Sequence, residues 1–195
     1  QDAERQYDGT FCREPARRTS VPVLYWFAEQ PVGTRTRSGG RASVFYDGEF
    51  YDNGFVRERG AYTTNGSQKF VFNRGHKFRF SPEHPRVHEF NLNSNGSDSS
   101  YLRQPLAFET MRKAGSPASL SFLMLSVCNG NVDRVGIFIE QVDEEFLERN
   151  NLDPAGAIYK FVQRSSSAHV FHDISSGIEK KSRENEGRED SAAIV

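Results

Sequence analysis

The segment from Ser119 to Glu140 constrains the fold more than any other part of the chain. Ser119 to Cys128 is an apolar run of buried-strand character, and Val135-Gly136-Ile137-Phe138-Ile139-Glu140 is a second one. Between them Asn129-Gly130-Asn131 supplies residues that tolerate positive φ, as a type I′ turn demands, so the two runs are predicted to pair as an antiparallel hairpin. Other stretches read the same way. Val21 to Phe27 is β-branched and aromatic, and Pro31, Gly33, Gly39 and Gly40 separate it from a second strand at Ala42 to Tyr46. Asp47-Gly48 predicts a hairpin into Glu49-Phe50-Tyr51, and past Asp52-Asn53-Gly54 a further strand runs from Phe55 to Arg59. Lys69 to Asn73 alternates, and Asn73-Arg74-Gly75-His76 is expected to turn it back into Lys77-Phe78-Arg79-Phe80.

Helical signals are fewer. Asp98 is placed to cap a helical region reaching Lys113, with Leu102, Leu106, Glu109 and Arg112 at helical spacings, Gly115 as the residue past its end and Pro117 beyond. Pro105 must either start a second helix or kink the first. Asp143 to Asn150 predicts a short helix with Phe146 and Leu147 inward, Asp153-Pro154-Ala155-Gly156 a turn, and Ala157 to Val162 a strand. Ile178 to Val195 is charged and reads as a helix or a frayed end. Residues 1–20 are polar and aperiodic and are expected to form a flexible arm, leaving 21–195 as one domain.

Composition removes several classes of function. With 25 basic and 26 acidic side chains the formal charge is -1, which provides no electrostatic footprint for nucleic acid or an anionic membrane surface. The 16 phenylalanines therefore belong to core and sheet packing and not to a base-stacking platform. No apolar run approaches the ~18 residues of a membrane-spanning helix. Cys12 and Cys128 permit one disulfide without demanding it. The triplets Asn65-Gly66-Ser67 and Asn95-Gly96-Ser97 match the glycan acceptor pattern but carry little weight, and no basic-then-apolar leader follows Gln1, so any targeting segment is expected to have been removed or to lie outside this piece.

Two histidine groups invite chemistry. His84 and His88 are four residues apart, but Pro85 opposes a helix between them and no carboxylate sits at a zincin spacing, so no metal site is expected. His169, His172, Asp173 and the serines Ser165 to Ser167 form a hydrolase set on paper without a nucleophile elbow, and read as a polar loop.

The order of the elements points elsewhere. In a protein-kinase-like N-terminal lobe a lysine on an early strand holds nucleotide phosphates, a glutamate on the following helix orients it, and the last strand runs into a hinge that meets adenine. Lys69, Glu109 and the segment Glu140-Gln141-Val142 occupy those places in order. Arg57 and Arg59 alternate on one strand face, where guanidinium forks can meet phosphate oxygens, whereas Arg103 and Arg112 read as surface ion pairs.

A set of short motifs makes the comparison specific. Val56-Arg57-Glu58-Arg59-Gly60, Lys69-Phe70-Val71-Phe72, Asp98-Ser99-Ser100-Tyr101-Leu102-Arg103, Leu106-Ala107-Phe108-Glu109, Ala114-Gly115, Val135 to Asp143, Phe146-Leu147, Ile158-Tyr159-Lys160 and Glu179-Lys180-Lys181 follow one another over residues 21–190. In that order and spacing the chain resembles the spore coat protein H (CotH) family of atypical kinases. The resemblance implies an α+β, protein-kinase-like N-terminal lobe, an antiparallel sheet with one main helix. It implies ATP as ligand, bound by Lys69, Glu109, Arg57, Arg59, Glu140, Gln141, Val142 and, as a second cation, Lys160. It further implies transfer to a protein serine or threonine or another hydroxyl acceptor, and a spore coat, envelope or secreted setting. In that family the catalytic and magnesium-holding aspartates follow the Glu-Lys-Lys stretch. Residues 1–195 are accordingly expected to hold the nucleotide and to lack catalytic residues, the C-terminal lobe being absent. The competing expectation is a non-catalytic pseudokinase or a β-rich surface module.

Overall fold

A computed structural model describes residues 19–60, 66–94, 96, 98–161 and 178–181. Its elements are β1 (Val23–Ala28), β2 (Gly40–Tyr46), β3 (Glu49–Glu58), β4 (Gln68–Val71), β5 (Glu89–Asn93), α1 (Arg103–Lys113), β6 (Ser121–Cys128), β7 (Asn131–Glu140), α2 (Glu144–Arg149), β8 (Tyr159–Phe161) and β9 (Ile178–Lys180). The first seven strands close into a barrel in the order β1-β2-β3-β4-β5-β7-β6, and β8 pairs with β9 in a separate two-stranded sheet.

This corrects the expected α+β kinase-like lobe. The sheet has no open edges, because β6 pairs in parallel with β1, Val23 facing Leu125 and Trp26 facing Cys128. All other barrel pairs are antiparallel. Nor does a helix organise the core. α1 buries none of its residues, and α2 is six residues long. The apolar matter lies inside the barrel instead, where Trp26, Phe70, Phe78, Phe90, Leu92, Met124 and Phe138 are fully buried. Phe70 stacks on Phe90 at 4.9 Å between ring centroids, and Phe90 meets Phe138 at 5.0 Å.

Local chemistry explains most element ends. Asp47-Gly48 and Asn129-Gly130 both take positive φ, at 47° and 80° and at 48° and 81°, so both hairpins turn as their sequences predict. Gly115, at φ 81°, ends α1 in a Schellman motif, with Ser116 N–H donating to the Met111 carbonyl at 3.0 Å and Gly115 N–H to that of Arg112 at 3.0 Å. The helix begins at Arg103, two residues before Pro105, so the proline sits in the first turn and no kink arises. Asp98 still serves it, accepting from Arg103 N–H at 3.1 Å.

Three local expectations fail. Asp52-Asn53-Gly54 is a bulge inside the continuous strand β3, not a turn; the register shifts opposite Ala42 and Val44, and a side chain at Gly54 would stand 2.9 Å from the Ala42 carbonyl oxygen. Residues 77–80 do not return as a strand, and only a single bridge joins Phe78 to Val87. The true partner of β4 is β5. Ile178–Lys180, expected in a helix or frayed end, is a strand. The arm up to residue 18, Cys12, Asn65, Asn95 and the group Ser165 to Asp173 lie outside the described residues.

The parallel seam is held by a polar network. Trp26 Nε1 donates to Ser126 Oγ at 2.9 Å, and the Asn129 side chain brackets Ala28, accepting from its N–H at 2.9 Å and donating to its carbonyl at 3.0 Å. Ser126 Oγ in turn reaches Asp133 at 3.4 Å, and Asp133 accepts from Arg35 at 2.6 Å and from Arg134 at 2.8 Å. Burial pushes the Asp133 carboxyl up, but the hydrogen bonds and charges of Arg134 and Arg35 outweigh it and hold the group below its ordinary value of 3.8. A carboxyl depressed in the fold contributes its full stability above the unfolded pKa and loses it as pH falls through the folded one. Wild-type stability is therefore expected to fall relative to Asp133→Asn as pH is lowered from about 5 through the ordinary aspartate range and below it. Parallel curves in urea titrations across that range would refute the assignment.

Candidate functional site

Strand alternation sorts the residues of β3, β4 and β5 onto two faces. Val56, Phe70 and Phe90 are register partners pointing into the barrel, so Arg57, Lys69 and Asn91, likewise partners, share the outer face. Lys69 Nζ donates to Glu89 Oε1 at 2.6 Å, with both side chains largely shielded from water. The expected pairing with Glu109 is not formed. Glu109 lies on the exposed side of α1, bonded to Lys113 at 2.8 Å, one helical turn on. The carboxylate that orients Lys69 comes from the neighbouring strand.

Arg59 extends this face beyond the end of β3. Its N–H donates to the Ser67 carbonyl at 2.9 Å, and its guanidinium to Asn93 Oδ1 at 2.6 Å. Asn93 passes the contact on to Gln104 in the first turn of α1, at 3.2 Å. Arg57 has turned its own guanidinium to a backbone carbonyl, that of Glu58, at 3.3 Å. The cations strain one another. Burial lowers the Lys69 pKa, the Glu89 hydrogen bond and charge oppose that, and the charges of Arg57 and Arg59 lower it further. Burial also lowers Arg59, with Arg57 adding to the effect.

The segment that leaves β7 reaches the same face. Glu140 is 2% exposed, and both oxygens of its side chain are engaged within the fold, accepting from Arg149 at 2.7 and 2.6 Å and from Leu120 N–H at 3.0 Å. Gln141 Oε1 accepts from Asn91 at 2.8 Å, so the chain after β7 is fastened beside Lys69, and the next residue, Val142, is exposed. Lys160 lies on β8 in the two-stranded sheet, opposite Glu179 in register.

A second cluster adjoins this face and was not anticipated. Asp143 caps α2, its Oδ1 accepting from Phe146 N–H at 3.2 Å. Two residues on, Glu145 Oε1 accepts from Lys77 at 2.7 Å, and Oε2 lies 2.8 Å from His88 Nδ1. His88 also stands 4.0 Å from Asp143 Oδ2. Burial pushes the Asp143 carboxyl up to about 7, while burial of Glu145 is outweighed by His88 and Lys77, which bring it down to about 2. Sequence spacing pairs His88 only with His84. Its partners lie more than fifty residues away, where only the β5–β7 pairing brings them close.

The family model of the CotH kinase protein matches residues 56–195, from the second half of β3 onward. No curated protein matches the chain.

Proposed function

The chain belongs to the CotH kinase family, and on that premise we propose that the outer face of β3, β4 and β5 binds the phosphates of ATP for transfer to a hydroxyl acceptor, a protein serine or threonine in the first instance. One observation carries the reading. Among the described residues, Arg57 and Arg59 add their charge to that of Lys69, whose carboxylate partner is Glu89, so the face holds an excess of partly shielded positive charge. A polyphosphate relieves that repulsion, and guanidinium forks match its oxygens.

Each residue then has a task. Lys69, held by Glu89, meets phosphate oxygens as a point charge, the part given to a helical glutamate–lysine pair in ordinary kinases. Arg57 and Arg59 swing from neutral acceptors, the Glu58 carbonyl and Asn93, onto the same phosphates. Gln141 and Val142 border the adenine end through main-chain groups and an apolar wall. Glu109 and Lys160 are not needed for this arrangement. Magnesium, which kinase chemistry implies, screens the phosphates when bound. Glu89 is already taken by Lys69, so the described residues of this face fit the phosphates and not the ion.

The test is nucleotide titration of the chain with and without magnesium. Lys69→Met is expected to weaken ATP binding roughly ten- to hundredfold, the loss of a charged hydrogen bond worth about 1.5–3 kcal/mol. Lys113→Met, on the exposed side of α1, serves as control. Equal affinities in wild type and Lys69→Met would sink the proposal.

A further inference from the structure

Beside the phosphate face, the cluster of His88, Asp143 and Glu145 has an atom that the fold does not use. Asp143 is 8% exposed, and its cap to α2 is made by Oδ1 alone. Oδ2 is buried with no hydrogen-bond partner and stands 4.0 Å from His88 Nδ1. A carboxylate oxygen in that position is costly unless something fills the gap it faces. His88 reaches it only as an ion-pair contact at 4.0 Å, because its Nδ1 is hydrogen-bonded to Glu145 at 2.8 Å, and Lys77 is bonded to the other Glu145 oxygen at 2.7 Å.

We propose that His88 Nδ1, Asp143 Oδ2 and Glu145 Oε2 form a site for a divalent first-row transition ion of the zinc type. One ligand atom from each of the three residues lies within 4.8 Å of the others. Zinc bound at about 2.0–2.1 Å from nitrogen and oxygen sets tetrahedral ligands roughly 3.3 Å apart, so closure asks each side chain to move by less than about 1 Å. The donor set selects the ion. An imidazole with two carboxylates suits zinc and its neighbours, whereas magnesium and calcium take all-oxygen shells. Three protein ligands leave a fourth position for water or an exogenous ligand.

The elements give the ion a structural consequence. His88 directly precedes β5, and Asp143 and Glu145 begin α2, so a bound ion fastens the segment after β7 to the strand that carries Glu89. Lys77 stays on Glu145 Oε1, which the ion does not need. The site does not depend on the nucleotide reading, and it is tested without nucleotide.

Zinc is titrated calorimetrically into the chain in the presence of excess magnesium, and cobalt(II) is used as a spectroscopic stand-in for coordination number. One equivalent of zinc and an intense visible cobalt band are expected. Asp143→Asn keeps the cap acceptor for Phe146 and removes the anionic ligand; His88→Ala removes the imidazole. Each is expected to weaken zinc binding by at least about tenfold, the lower bound set by losing even an outer partner of a metal ligand. If His88→Ala does not fold, Asp143→Asn decides alone. No zinc bound by wild type, or wild-type affinity in Asp143→Asn, overturns the site and assigns any bound ion to other residues.

Discussion

Replacing Arg149 by alanine is expected to cost about 3–5 kcal/mol of folding stability, far more than the loss of an ordinary surface charge. Glu140 closes the end of β7 with its side chain 1% exposed, and Arg149 is its counter-ion through two hydrogen bonds of 2.7 and 2.6 Å. The same guanidinium donates to the Ala118 carbonyl at 2.7 Å. Removing it leaves a buried carboxylate with Leu120 N–H as its remaining partner among the described residues, and it is the uncompensated charge that makes the change severe. Converting both residues together, Glu140→Gln with Arg149→Met, should recover most of the loss, since a neutral pair strands no charge. Urea midpoints of the two variants against wild type read this directly. A loss below about 1 kcal/mol for Arg149→Ala would place the pair among weak, water-screened bridges.

The pair also sets where the face proposed to bind phosphates ends. Glu140 is the last residue of β7 and Arg149 the last of α2, so their bond fixes the turn in which Gln141 reaches Asn91 and Asp143 caps the helix. The sequence places Glu140 in a hinge expected to meet adenine through main-chain groups, and it is silent on the side chain. Its pattern, an acidic residue at the end of an apolar strand, does not reveal whether the carboxylate faces a cleft or a partner nine residues on.

What was legible in the sequence is what short-range chemistry decides. Asn129-Gly130, Asp47-Gly48, the short helix after Asp143 and the Gly115 stop each depend on chemistry within a few residues, and each stands where the residues placed it. Barrel closure was not legible, because the β1–β6 pair joins residues about a hundred positions apart and its marks, Ser126 under Trp26 and Asn129 on Ala28, look like ordinary polar residues. β5 was missed for a related reason. Glu89-Phe90-Asn91-Leu92-Asn93 alternates, but its polar members are two asparagines and a glutamate, residues poor in strand propensity that are held here by Lys69, Gln141 and Arg59. With β5 unassigned, the nearest acid to Lys69 could only be sought on the helix. The resemblance of motifs carried the family correctly, over residues 56–195. It did not carry the architecture, since short motifs constrain neighbours along the chain and not how a sheet closes.

Phe90→Ala is expected to cost about 3–5 kcal/mol as well, through a different mechanism. Phe90 is 0% exposed at the centre of an aromatic cluster, with ring centroids at 4.9 Å to Phe70, 4.8 Å to Phe78 and 5.0 Å to Phe138. Truncation removes its transfer free energy and leaves a cavity between strands that cannot collapse without opening the barrel. Phe90→Leu refills most of the volume and should cost less than about 1.5 kcal/mol. The position has a second readout because its chain neighbours, Glu89 and Asn91, point the other way and hold Lys69 and Gln141. A cavity behind them loosens the outer face, so Phe90→Ala should weaken ATP binding under conditions where it is still folded, while Phe90→Leu leaves affinity near wild type. If Phe90→Ala unfolds at the wild-type urea midpoint, the ring is not packed as described. Should it lose stability but keep full affinity, the inner and outer faces of β5 are uncoupled, and the phosphate face is held by its own ion pair alone.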